Sequence, residues 1–97
     1  MALMIIGKVE GMDAHTYDAV NREMGFPDQN VPDGLLSHTS ATENGGMLII
    51  DVWKSREQFD TFIRGMVIPA MEKVGLPISD DPRQPDQVLE VHFRWPS

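Results

Sequence analysis

Asn44-Gly45 stands between two runs that both read as strands, residues 35–42 and 47–53. An Asn-Gly pair flanked in this way is the strongest short-range hairpin signal a sequence carries. It makes the two runs antiparallel neighbours and fixes their partners. With Asn44 and Gly45 as a two-residue loop, His38 faces Asp51, Leu36 faces Trp53 and Ser40 faces Ile49. Side chains alternate across a strand, so His38, Asp51 and Trp53 share one side of the sheet.

The rest of the chain is laid out around that hairpin. Residues 3–9 are apolar and β-rich and end at the turn signal Glu10-Gly11, which predicts a first strand. Asp13 is a suitable N-cap, Tyr17, Val20 and Met24 follow at helical spacing, and Gly25 closes this first helix. The stretch 26–34, with Pro27, Asp28, Asn30, Pro32, Asp33 and Gly34, reads as a loop from helix to sheet that could serve as a lid. Ser55 with Gln58 forms a capping box ahead of the apolar stripe Phe59, Phe62, Ile63, Met66, Val67, Ala70, Met71 and Val74. Gly65 and Pro69 interrupt this second helix, which predicts a break with Pro69 opening a second short piece and Gly75 capping it. Residues 76–87 lack periodicity and read as a loop. Residues 88–95 alternate again and read as the last strand, ended by Pro96.

The order β-α-β-β-α-β over one domain, 1–97, is the ferredoxin-like α+β pattern. Two right-handed crossovers place both helices on one face of a four-stranded antiparallel sheet. The opposite face is left bare. Both parities of the strands carry apolar residues, with Leu3, Ile5, Leu48, Ile50, Val52, Leu89, Val91 and Phe93 grouped on one and Met4, Ile6, Leu36, Ile49 and Trp53 on the other. A homodimer packed through the sheet faces is therefore expected.

Composition narrows the function classes. With a net charge of −7 and no Lys/Arg cluster, the electrostatic term that dominates nucleic-acid affinity would be repulsive, as it would be at an anionic membrane. No apolar run approaches the roughly 20 residues of a membrane helix. Met1 to Val9 has neither a basic n-region nor a small-residue cleavage site, so the expectation is a cytoplasmic protein. The chain has no cysteine, which removes thiolate ligands and a Cys nucleophile. His15, His38 and His92 lie on separate elements without metal-ligand spacing, and no phosphate-binding glycine loop, GxSxG elbow or HExxH helix occurs. Neither a metal nor a cofactor is expected.

The run Pro32-Asp33-Gly34-Leu35-Leu36-Ser37-His38, the glycines Gly45-Gly46, the segment Asp51-Val52-Trp53-Lys54-Ser55 with Phe59 and Phe62 after it, and Pro69 followed by Gly75 carry a resemblance. The chain resembles the antibiotic-biosynthesis-monooxygenase branch of the dimeric α/β-barrel superfamily, in particular its short bacterial members. The resemblance covers most of the chain and is architectural more than catalytic. It implies a dimeric α/β barrel, and among the family's activities are cofactor-free oxygenation of aromatic phenols or quinols, haem degradation, cyclisation and isomerisation. It also implies that a tryptophan at Trp53 lines a cavity between sheet and helices. The Asn that aromatic-phenol oxygenases commonly supply on this strand is replaced by Ile49, and the helix-two stripe has no histidine for haem breakdown.

A carboxylate beside an imidazole holds one tautomer and stabilises the imidazolium that forms on proton uptake, which is what a general base needs. His38 with Asp51 is thus the candidate catalytic pair, although the same two residues could be a cross-strand polar pair and nothing more. Apolarity alone would put Ile5, Ile50, Val52 and Val91 under the helices, whereas the resemblance puts the face of Trp53 there. On the second choice Tyr17 and Met24 from helix one and Phe59, Phe62 and Met66 from helix two wall a ligand site, over a floor of Leu36, His38, Asp51 and Trp53. His92 could join that floor or stay solvated. The expected ligand is a small hydrophobic or aromatic molecule, and the expected chemistry is proton abstraction leading to oxygenation, cyclisation or isomerisation. The alternative is a non-catalytic homodimeric module that binds a small ligand or fills its interior with side chains.

Overall fold

The computed structural model describes residues 1–76 and 85–96. The elements run β1 (Leu3–Glu10), α1 (Ala14–Met24), β2 (Leu35–Glu43), β3 (Gly46–Trp53), α2 (Arg56–Phe62), a π-helical segment (Ile63–Val67), α3 (Ile68–Val74) and β4 (Gln87–Glu90). The strands make one antiparallel sheet in the order β2-β3-β1-β4. The fold is ferredoxin-like, as the element order predicts. Of the expected loop 76–87, residues 77–84 lie outside the described residues.

The hairpin sets the register of the whole sheet. Glu43 pairs with Gly46, so Asn44 and Gly45 are the two loop residues. Gly45 alone of the pair has a positive φ, +77°, and needs glycine there. Lys8 on β1 reaches across to the Asn44 carbonyl at 3.0 Å and lies 3.5 Å from both Glu10 and Glu43, tying the tip to its neighbour strand.

Asp13 caps α1 by accepting a 2.7 Å hydrogen bond from the Thr16 amide, and that bond holds its carboxyl below the usual carboxylate range. Gly25 ends the helix in the left-handed conformation. The loop that follows is fastened to this end, because the Gln29 and Asn30 amides both bond the Gly25 carbonyl and the Asn30 side chain bonds the Met24 carbonyl at 2.9 Å.

Three expectations change. The second short helix expected at Pro69 is present, with the proline in its first turn and Gly75 as its cap, but the break before it is instead a π-helical segment between α2 and α3, with helical dihedrals at each junction and the Ile68 amide bonded to the Ile63 carbonyl. The wider π turn takes up the crowding that a proline ring imposes on the carbonyl one turn back, so the stripe continues without interruption. The last strand covers Gln87–Glu90 and not 88–95. Glu90 pairs with Leu3, the first residue of β1, and the Val91 amide bonds the Ala2 carbonyl just before that strand begins. The face grouping also changes, because Ile5 on β1 pairs with Asp51 on β3. Leu3, Ile5, Val9, Met47, Ile49 and Trp53 therefore turn toward the helices, and the face with Ile50 and Val52 turns away.

The core sits between that first face and the helices. Ile5, Met47 and Trp53 from the sheet meet Val20 and Met24 of α1, Phe59 and Phe62 of α2, Ile63 of the π segment, and Ala70 and Met71 of α3. A 3.2 Å ion pair between Lys73 and Glu23 links α3 to α1 on the outside.

Candidate functional site

β2 and β3 bring His38 opposite Asp51, as the hairpin arithmetic predicts, and the two hydrogen-bond at 2.5 Å through Nδ1 and Oδ1. Asp51 is the buried charged residue of the described core, with 6% of its side chain exposed. A carboxylate in such a place needs both oxygens occupied. Its second oxygen accepts from the Trp53 indole N–H at 3.1 Å, a contact made natural by the two-residue spacing that puts both side chains on one strand face. On the other side of the imidazole, Nε2 is hydrogen-bonded to the Tyr17 hydroxyl. The two rings are nearly coplanar in orientation, 4° apart with centroids at 6.1 Å, and Phe26 meets the imidazole edge-on at 5.3 Å.

The result is one unbroken chain, Tyr17 to His38 to Asp51 to Trp53. Among the described residues no buried side-chain nitrogen or oxygen lacks a hydrogen-bond partner. A carboxylate only accepts, so opposite Asp51 a neutral His38 places its proton on Nδ1 and leaves Nε2 as the acceptor for the tyrosine hydroxyl. The imidazole itself is 19% exposed, so the chain starts near solvent at α1 and ends in the core.

Other expected site residues are placed differently. Trp53 is fully buried, at 0% exposure, against Phe59 and Phe62, with ring centroids 5.8 and 5.4 Å away. It has no surface to offer a ligand, and these three rings fill the space expected to be open. Phe59, Phe62 and Met24 are core residues; Tyr17 and Met66 are half-buried at its margin. Leu36 does not face Trp53. A β-bulge between Leu35 and Ser37 makes Leu36 the extra residue, so Leu35 takes the position opposite Trp53 and packs on the core. His92 lies beyond the end of β4, exposed and away from the floor it was expected to join.

Two open concavities, of about 600 and 210 Å³, lie elsewhere: one between residues 11–14 and 42–46, the other between α1 and the π segment with α3. Neither is lined by His38, Asp51 or Trp53. Among the described residues no three His, Asp or Glu side chains gather as metal ligands, and no helix is long and apolar enough to cross a membrane.

Reading the sequence alone misses three contacts: the Tyr17 hydroxyl on Nε2, the indole N–H on Asp51, and Phe26 against the imidazole. The first had a usable signal. A lone tyrosine on an otherwise apolar helical stripe brings a hydroxyl that must find a partner once the stripe is buried. The Phe26 contact depends on the path of a loop and had none.

No protein-family model matches the chain, and no curated protein matches it in sequence. Among solved structures it is similar to a protein of Chloroflexus aurantiacus J-10-fl described as a "putative Antibiotic biosynthesis monooxygenase". The two superpose with a TM-score of 0.60 over 97% of each chain at 18% identity. The likeness is one of fold over the whole length.

Proposed function

We propose that this chain is an acid–base enzyme that removes a proton from a small aromatic or polyketide-like molecule, with His38 as the base and Asp51 as its orienting partner. The observation that carries the reading is the buried Asp51 carboxylate, held by the Trp53 indole on one oxygen and by His38 on the other. A buried carboxylate costs stability unless it is paired, so its presence under an imidazole that reaches solvent favours chemistry over packing. Proton removal from a phenol or from the carbon beside a carbonyl needs no cofactor, and oxygenation, cyclisation and isomerisation all start with it. The fold shared with the Chloroflexus protein agrees with this class of activity.

The molecule works as a homodimer in this proposal. Phe93 and Trp95, 81% and 83% exposed, follow β4, and Leu89 is also exposed. Packing a second copy on the sheet would bury this apolar surface.

A second reading has its own support. Trp53, Phe59 and Phe62 fill the interior, which suits a non-catalytic binding module. Deuterium exchange from D2O into the carbons beside the carbonyl of 2-tetralone, followed by NMR, separates the two. The enzyme accelerates exchange over buffer, and His38→Ala reduces that acceleration by about 10² to 10⁴. Wild-type protein that does not accelerate exchange, or a His38→Ala variant as active as wild type, refutes the enzymatic reading in favour of the module.

A further inference from the structure

We propose that the Tyr17 hydroxyl, and not the imidazole, is the atom that meets the substrate proton. The inference rests on the acid–base reading above and names its reacting group.

The hydrogen-bond inventory leads there. The Asp51 oxygens are taken by the His38 Nδ1–H and the Trp53 indole. With the imidazole proton on Nδ1, His38 Nε2 has a single lone pair, and the Tyr17 hydroxyl bonded to it is then the donor. Phe26 stands edge-on to the imidazole. Each Asp51 oxygen keeps a second lone pair, but the carboxylate is buried beneath the imidazole and the indole, and the Nε2 lone pair is occupied by the tyrosine. A phenolic oxygen has two lone pairs, and in donating its proton Tyr17 uses neither. The Tyr17 oxygen is the outer member that combines free acceptor capacity with exposure, since it belongs to a half-buried residue on the helix side of the site.

The proton balance is simple. The C–H bond beside the substrate carbonyl breaks, and its electron pair moves onto the carbonyl oxygen as an enolate. The released proton joins the Tyr17 oxygen while the hydroxyl proton of Tyr17 crosses to His38 Nε2. The imidazolium so formed keeps its Nδ1–H on Asp51. Tyr17 ends as it began, and the proton is stored on His38 until it returns along the same path. For a phenolic substrate the O–H bond breaks instead and a phenolate is left. The substrates selected are acids that a phenol relay can match, namely phenols and ketones or 1,3-dicarbonyls with an acidic C–H.

Tyr17 is the only tyrosine of the chain, so it can be replaced globally by fluorinated tyrosine without touching another site. The experiment uses the same 2-tetralone exchange. Tyr17→Phe keeps the ring and loses the oxygen. Its acceleration should fall by about 10² to 10⁴, to near the level of His38→Ala. Its downfield imidazole N–H resonance, the signature of the short His38–Asp51 bond, should persist, which separates a lost relay from a lost fold. Protein carrying 3-fluorotyrosine, with a more acidic phenol, should fold as wild type and show a displaced pH profile of exchange. Tyr17→Phe that exchanges as fast as wild type or faster, while His38→Ala does not, overturns the proposal: the imidazole then meets the substrate directly and the acid–base reading stands. An unchanged pH profile with 3-fluorotyrosine overturns it as well. Wild-type protein without any acceleration overturns both.

Discussion

Replacing Trp53 by phenylalanine tests whether the indole serves the carboxylate or only fills the core. The substitution keeps an aromatic ring between Phe59 and Phe62 and removes the N–H that Asp51 accepts at 3.1 Å. Full truncation of a buried tryptophan costs roughly 3–5 kcal/mol, and phenylalanine retains about half of the packing, so that part comes to about 2 kcal/mol. The lost hydrogen bond to a buried charged group adds about 1.5–3 kcal/mol. The expected total is about 4 kcal/mol, a large fraction of the roughly 5–15 kcal/mol that holds a domain together. Urea denaturation of the four members of a double-mutant cycle isolates the second part: wild type, Trp53→Phe, Asp51→Leu, and the two combined. In the Asp51→Leu background there is no carboxylate to satisfy, and Trp53→Phe should cost only its packing share. The coupling between the sites should then be about 1.5–3 kcal/mol. A coupling below about 0.5 kcal/mol, within the range of independent sites, would mean that the indole N–H contributes nothing to Asp51 and that Trp53 is packing alone.

Gly34, at φ +90°, adopts a conformation that disfavours any side chain, and a Cβ there would lie 2.3 Å from the Gln58 side chain. Gly34→Ala should lower stability by about 1–3 kcal/mol in urea titration and weaken the bond between the Lys54 amide and the Gly34 carbonyl. Phe93→Ser combined with Trp95→Ser should leave monomer stability within about 0.5 kcal/mol, since both side chains are exposed, while multi-angle light scattering reports a change from dimer to monomer. A wild-type chain that scatters as a monomer refutes the dimer.

The hairpin carried most of what the sequence made legible. From Asn44-Gly45 follow the β2–β3 register from Glu43 back to Ser37, the His38–Asp51 pair and the face it shares with Trp53. Caps at Asp13, Gly25, Ser55 and Gly75 were readable because each leaves a residue-specific mark at a helix end. What stayed hidden depends on relations between elements. Both parities of β1 are apolar, so nothing local says which of Ile5 and Ile6 turns inward; the answer lies in pairing with β3. The end of β4 is set by where its partner strand begins, not by its own alternation. The role of Trp53 is hidden because its bulk suggests a wall, whereas its rings pack on Phe59 and Phe62 while its N–H answers the carboxylate two residues away.

The extra residue at Leu36 divides β2 into two stretches of opposite phase. The stretch from Ser37 onward takes its phase from the hairpin, and the one before it takes its phase from the loop that arrives from α1. A one-residue change of length in that loop can thus be absorbed by forming, moving or erasing the bulge, while the imidazole of His38 keeps its side of the sheet. Variation in the loop that precedes β2 is mechanically insulated from the alignment of His38 with Asp51 across the hairpin.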